Sequence, residues 1–395
     1  MRLTTDVPRT SKPHLPLGWR PAAVTLAGVI LLLALPAPPN PDKPGRTGGL
    51  RTAAAQVRGE GLPVDLVQDY VGARELATGE DPYPILTQAF SSVGLDWSVP
   101  HRSTHPPTAF VLALPIAWMD WGTAGAVWAV AMIVVIAIAW WALGVSAAWA
   151  LPLAFLALIW PPTAWSIGQL TPIWLVGLAL AWRFRDRPGV GGAAIAVASL
   201  TKFMPAVMLL AFVALRRWTA LVSFMVVWSI ALGLVEILNH DALTRYVEVA
   251  RSVGREQSNR RENSALVVAA EHKFGVPGAV LALILVAVVI VAGLLRVQRR
   301  RTIDRLSWDA CNWAAVGLLP IAWIYSLLPV LPTVVRQIYK GGLPTKGLAL
   351  VALVVPFFID PFGLPGAAWL AVALTCVGIG LVISLSGGWR SETDG

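Results

Sequence analysis

Charge is scarce in this chain. Asp, Glu, Lys and Arg make up 13% of it, about half the share of an ordinary soluble domain. Set beside 56% hydrophobic residues, that scarcity excludes a soluble domain above roughly 70 residues. Cysteine is scarcer still: Cys311 and Cys376 are the only two. Both lie in apolar runs, read as packing residues, and carry no information on redox compartment. No His/Cys cluster has metal-ligand spacing. No paired-Asp motif of a nucleotide-sugar site is present, and no Gly-rich loop ends in Lys-Ser/Thr. No metal and no cofactor is therefore expected. No internal repeat is visible, and low complexity is confined to "PAPPNPDKPG", a stiff polar connector. The net charge of +9 comes from arginines clustered in short loops, which is how topology signals are written rather than a nucleic-acid footprint.

What the chain has is apolar runs along almost its whole length, the pattern of an all-α polytopic membrane protein. Thirteen candidate segments can be drawn, among them Pro21–Pro36, Pro106–Met119, Thr123–Leu143, Val190–Leu200, Phe203–Leu215, Thr219–Leu238, Val276–Leu295 and Pro365–Leu385. Arg2, Arg9, Lys12 and Arg20 precede the first. A cleaved signal peptide competes for that segment, but "ALPAPP" is not a clean small-x-small site, so an uncleaved helix is favoured. Its basic flank then stays cytoplasmic, leaving 37–105 as the first extracytoplasmic loop. The clusters Arg183–Arg187, Arg216–Arg217, Arg296–Arg305 and Arg336–Lys346 also read as cytoplasmic. Four segments fall between His105 and Arg183 where an odd number must cross, so one is re-entrant or merged. About twelve crossings result. The tails are 1–20 and 391–395, the membrane domain is 21–390, and 239–275 is a second large outer loop. Several segments are shorter than the ~20 residues a span needs, which implies a protein-covered or water-filled cavity on the outer side.

The acids gather in one place. "DLVQDYVGARELATGEDPY", Asp65 to Tyr83, carries four acidic residues between Asp65 and Glu80. Leu66, Tyr70, Ala73 and Ala77 share a helical face, so an amphipathic helix on the outer membrane surface is expected, ended by Gly79 and the turn "EDPY". Asp65 with Gln68 three residues on has capping-box spacing. It also suits a general base that takes a proton from an acceptor hydroxyl while a lipid-borne group departs.

This stretch resembles the first-loop signature of polyprenol-phosphate-sugar-dependent glycosyltransferases of the GT-C fold, closest to glycosyltransferase family 87. The matching residues are Asp65, Tyr70, Gly72, Ala73, Gly79, Pro82 and Tyr83, with Leu66 and Asp69 standing where aromatics are common. Five further blocks follow in order: "HPPTAFVLALP", "SIGQLTPIWLVGLALA", "AIAVASLTKFMPAVMLL", "NRRENSALVV" and "LLPIAWIYSLLPVLP". The resemblance implies a GT-C bundle of about twelve transmembrane helices in the cell membrane, with its active site facing the extracytoplasmic side. It implies an inverting transfer of a sugar, mannose above all, from a polyprenyl-phosphate donor to a glycolipid or cell-envelope polysaccharide; a pentose such as arabinose is the alternative. Asp65 is the implied catalytic base and Asp69 the fallback. Many relatives carry a His just after the Trp of the last block; here Trp323 is followed by Ile324 and Tyr325, and Tyr325 is the substitute by hydrogen bonding.

Other residues carry two readings each. Lys202, between two short apolar segments, is read as a phosphate contact, with snorkelling to a headgroup as the plain alternative. Gln169 is a sugar ligand or an interhelical hydrogen bond. Arg260 and Arg261, with Asn263 beside them, bind lipid phosphate or an anionic acceptor, or belong to a solvated loop. His105 faces the cavity or is a satisfied interfacial histidine. Tyr70, Tyr83 and Trp323 complete the substrate-binding set. A flippase or permease for lipid-linked sugars is the competing function. It calls for ionisable residues at mid-membrane and a two-fold repeat, whereas this chain concentrates its acids in one loop.

Overall fold

The computed structural model describes residues 19–35, 50–58, 64–157, 168–258, 263, 265–320, 324–354 and 366–387. The described chain is helical throughout, with one isolated bridge between Ile85 and Arg102. Helix α1 (Trp19–Ala34) leads to α2 (Leu50–Val57), α3 (Val64–Thr78), α4 (Leu86–Ser92) and α5 (Pro107–Ala113). Then come α6 (Trp121–Ala142), α7 (Ala147–Ala157), α8 (Thr171–Arg183), α9 (Pro188–Thr201), α10 (Leu209–Ala214), α11 (Trp218–Leu238) and α12 (Ala242–Ser258). The series closes with α13 (Leu266–Arg300), α14 (Arg305–Gly317), α15 (Leu331–Lys340), α16 (Leu343–Val354) and α17 (Gly366–Gly387).

Local chemistry fixes the boundaries. Asp120 caps α6 by accepting from the Thr123 N–H, and Asp304 caps α14 by accepting from Ser307, each satisfying an N–H that the helix itself cannot. Gly79 stops α3 at φ +77°, with the Glu80 N–H returning to the Glu75 carbonyl at 2.8 Å, the six-to-one bond of a glycine-terminated helix. Helix α13 is broken at Gly275, where φ is 68° and ψ −164°, just ahead of Pro277. Its membrane-length portion therefore starts after that kink.

Among the described residues, three helices, α6, α11 and α13, are long and apolar enough to cross a bilayer. Side chains such as Val222, Met225 and Ile230 on α11, and Leu281, Ile284 and Val288 on α13, point outward. In water those faces would cost roughly 25 cal/mol per Å²; they are faces for lipid, and the protein is a membrane protein. Helix α9 packs between α8 and α11, α6 joins α7 and α8, and α13, α14, α16 and α17 form a second group. Helix α5 and the 3-10 turn after it, Leu114–Ile116, rise only about 16 Å, half the hydrocarbon thickness. Helix α7, with 11 residues, is equally short, so among the described residues between His105 and Arg183 only α6 is long enough to cross.

Two opposite ends can be defined. Arg183 stacks on Trp141 near the C-terminus of α6, 4.1 Å from the ring, and Arg217 donates to the Arg185 carbonyl at 2.6 Å. Arg305 lies over Trp182. Three basic clusters thus meet at one end. At the other, Tyr70 of α3 packs on Trp121 at the start of α6, ring centroids 5.1 Å apart, and Asn239, past the end of α11, donates to the Glu80 carbonyl. Helix α6 has 22 residues and α11 has 21, so the ends lie about 32 Å apart, the thickness of a bilayer core.

Helix α3 departs from expectation. Leu66, Tyr70 and Ala73 are buried, and so are Val67, Asp69, Val71 and Leu76. A helix buried round most of its circumference is packed into the fold, here against α5, α4 and the end of α11, rather than lying on a membrane surface. Its sequence misleads because Asp69 looks like a solvent face until its buried partner is known. A helix with one buried and one exposed face does occur, at α12. There Ala242, Val249 and Val253 are buried, while Arg245, Glu248 and Arg251 stay exposed.

Candidate active site

Four ionisable groups converge at the end away from the arginine clusters. Asp65 is the second residue of α3, so it sits within the first turn rather than capping it. Gln68 does not close a capping box; its Oε1 accepts from the Ser103 hydroxyl at 2.9 Å. That bond draws the 101–106 segment onto α3. Ser103 also accepts from the His105 N–H at 3.2 Å, and Tyr83 donates to the His105 carbonyl at 3.2 Å.

These contacts aim the imidazole. His105 Nδ1 is 2.7 Å from Asp69 Oδ1, with both side chains buried. A buried carboxylate needs a partner, because desolvation alone costs several kcal/mol. Asp69 has that partner on one oxygen, while Oδ2 has none among the described residues. The pairing could not be read from the sequence, since the two residues stand 36 apart and neither belongs to a spacing motif. The only signal was the position of His105 directly before Pro106–Pro107.

Lys202 enters from α9. Its backbone is extended, φ −157° and ψ 137°, so it breaks the chain between α9 and the 3-10 turn Met204–Met208. Because Arg217, beyond α10, returns to Arg185, before α9, the 188–217 segment is a hairpin with Lys202 at its tip. Thr108 of α5 donates to the Leu200 carbonyl at 2.8 Å and holds that tip against the His105 segment. Charges on His105, Asp69 and Lys202 all act on Asp65. Burial is the largest influence and pushes the Asp65 carboxyl up from 3.8 to about 7; Asp69 raises it further, while His105 and Lys202 pull it down. A carboxyl that titrates near neutral pH can both take and release a proton.

The remaining residues divide clearly. Tyr70 is buried and donates to the Met119 carbonyl at 2.6 Å. Tyr83 is buried against Phe110 and Tyr246, and burial raises its phenol above the usual range. The "EDPY" turn is clamped by Arg102, which reaches Asp81 at 2.9 Å and the Tyr83 carbonyl. Gln169 is buried just before α8 and its Nε2 has no partner among the described residues. Asn263 is buried, donating to the Pro320 carbonyl and accepting from the Ala265 N–H, so both ends of its amide serve the entry to α13. Tyr325 lies in the 3-10 turn Ile324–Val330. Arg260, Arg261 and Trp323 fall outside the described residues. No group of three or more His, Cys, Asp or Glu suited to a metal occurs among the described residues. A cleft of about 480 Å³ opens beside α3, lined by Tyr70, Arg74, Trp118 and Trp121; Asp65 is not in its wall.

The pattern of these elements matches a known family. The family model "Glycosyltransferase family 87" fits residues 104–335, which is more than half of the chain. No curated protein and no solved structure matches it. The fitted stretch holds His105, Gln169, Lys202 and Asn263, and it sets aside the transporter reading. Asp65 and Asp69 lie just before it and are tied to it by the His105 contact. The chain belongs to glycosyltransferase family 87, a membrane glycosyltransferase acting between a sugar donor and an acceptor.

Proposed function

We propose that this enzyme transfers a sugar, mannose in the favoured reading, from a polyprenyl-phosphate donor to a glycolipid or cell-envelope glycan on the extracytoplasmic side, with Asp65 as general base. The carrying observation is a half-buried carboxyl that titrates near 7, within electrostatic reach of a lysine, at the end of the bundle opposite the arginine clusters. By the orientation bias of membrane proteins, arginine-rich ends are cytoplasmic; this supports an outward-facing site. Loops 37–105 and 239–275 then lie outside, and about twelve crossings remain the favoured topology.

In the step, the acceptor hydroxyl gives its proton to the Asp65 carboxylate. Its oxygen forms a bond to the anomeric carbon, and the bond from that carbon to the phosphate oxygen breaks. The lipid phosphate leaves with the electron pair and needs a cation more than it needs a proton. Lys202 is the residue for that task. Asp69 and His105 are positioning residues: the pair fixes the segment beside Asp65 and sets its proton affinity. Gln169, with an unsatisfied buried amide, is the sugar-hydroxyl candidate. Tyr70, Tyr83, Asn263 and Tyr325, with Arg260, Arg261 and Trp323, complete the proposed substrate surround.

The test is incubation of membranes carrying the protein with radiolabelled polyprenyl-phosphate mannose and, separately, polyprenyl-phosphate arabinose. Label should move to lipid or polysaccharide from the first. Transfer only from the arabinose carrier would reassign the sugar, and transfer from neither would end the carrier-linked reading.

A further inference from the structure

The cleft of about 480 Å³ beside α3 lies at the end away from the arginine clusters and has the usual size of a small-ligand site. Tyr70 and Arg74 of α3 and Ser92 of α4 line one side; Trp118, Asp120 and Trp121, in the turn that leads into α6, line the other. Its walls are held in place. Tyr70 donates to the Met119 carbonyl at 2.6 Å and packs against Trp121, which ties α3 to that turn. The Arg74 guanidinium lies over the Tyr70 ring, 5.7 Å from its centroid, and donates to its hydroxyl at 3.4 Å. Asp120 is fixed by capping α6. Trp118 is 74% exposed, and Arg74, Ser92 and Asp120 are exposed too, so the cleft opens to water rather than to hydrocarbon.

This cleft is separate from the transfer site. Arg74 follows Asp65 on α3 by about two and a half turns, or about 14 Å of rise, so the two face opposite sides of the helix. Among the described residues, the charged lining is Arg74 and Asp120, one of each sign; net charge therefore selects neither an anionic nor a cationic headgroup. What the lining offers is ring faces beside charged hydrogen-bonding groups. A sugar ring matches both: its C–H face lies against an indole, while its hydroxyls donate to a carboxylate and accept from a guanidinium. We infer that this cleft binds a stretch of the acceptor's glycan chain, with Trp118 as the platform and Arg74 and Asp120 as hydroxyl partners, holding the acceptor at a distance from its reacting end. The inference rests on the proposed function in one respect, that the acceptor carries a glycan. An indole that only anchors the chain at the membrane interface needs no cleft around it.

The experiment is saturation-transfer NMR of the full-length protein in nanodiscs, free of sugar-headed detergent and without donor, titrated with mannotetraose and, separately, with arabinotetraose. At least one of the two should bind saturably. Trp118→Ala should weaken that binding by at least about fivefold, the loss expected when an aromatic anchor is truncated, and Trp118→Phe, which keeps a ring, should recover most of it. Ser92→Trp fills the cleft from the α4 side and keeps every aromatic wall; it should also lower binding, and it decides the matter if Trp118→Ala fails to fold. Asp65→Asn should bind the saccharide as the wild type does. Binding of neither saccharide, binding unaltered by Trp118→Ala and Ser92→Trp, or binding lost in Asp65→Asn alone would each overturn the assignment. With no donor present, the two readings fail separately. Sugar transfer without saccharide binding removes this site alone, whereas binding at the cleft without transfer removes the carrier-linked reaction and leaves the site standing.

Discussion

Replacing Asp65 by Asn should make the protein more stable above neutral pH while removing its activity. The reasoning starts from burial. In the unfolded chain the Asp65 carboxyl ionises at its ordinary 3.8, and in the fold at about 7. As pH rises from 4 to 7 the unfolded chain releases this proton and the native protein keeps it, so native stability falls across that window. Above 7 the loss is complete. The interval of about three pH units, at ~1.4 kcal/mol each, gives an upper limit near 4 kcal/mol. Asn has no such proton. With ~2.1 cal/mol/K of unfolding entropy per residue over 395 residues, that limit corresponds to about 5 °C. Thermal unfolding of the wild type and Asp65→Asn in the same detergent should differ little near pH 4.5. At pH 8 the variant should melt up to about 5 °C higher. Comparing the two proteins at each pH cancels every other titrating group. A variant that melts lower at pH 8, or a difference that does not change with pH, would refute the claim that Asp65 is ionised against the preference of its surroundings.

Three further outcomes follow from the same geometry. Asp69→Asn removes a like charge and should move the acidic limb of kcat/KM to lower pH; His105→Gln removes an opposing one and should move it higher, so shifts of the same sign would contradict the positioning roles. Lys202→Ala should raise the donor KM or depress turnover with little effect on acceptor KM, and unchanged donor kinetics would discard the phosphate contact. Gly192→Ala drives a methyl group into the Ala220 carbonyl, where α9 meets α11. It should cost 2 kcal/mol or more, about the upper end of ordinary overpacking, read as a lowered melting temperature in detergent. An unperturbed melt would mean that the two helices are not in such close contact.

The sequence is informative wherever a signal is local. Thr123–Leu143 and Thr219–Leu238 as read from hydropathy fall within two residues of α6 and α11, because a long apolar run has one low-energy form in a bilayer. Gly79 and "EDPY" are legible as a helix stop and turn from residue type alone. Lys202 is legible because a lysine between apolar segments has few harmless explanations. The rest depended on contacts remote in sequence. Asp69 and His105 need the fold to bring them within hydrogen-bond reach, and the Gln68–Ser103 bond replaces a cap that spacing favoured. The stripe Leu66, Tyr70, Ala73 suggested one buried face, whereas α5 and α11 cover the other sides of α3 too. Helix α12 was passed over because its charges read as a loop, while its buried Ala242, Val249 and Val253 sit at helical spacing.

The most direct test of Asp65 as the base is sugar transfer in proteoliposomes by wild type, Asp65→Asn and Asp65→Glu, with labelled polyprenyl-phosphate mannose supplied in the lipid. Loss of a general base removes about 10²- to 10⁴-fold in turnover, so Asp65→Asn should fall by at least a hundredfold with its fold and donor binding retained, and Asp65→Glu should keep measurable activity. Wild-type turnover in Asp65→Asn would contradict the mechanism and leave the base elsewhere.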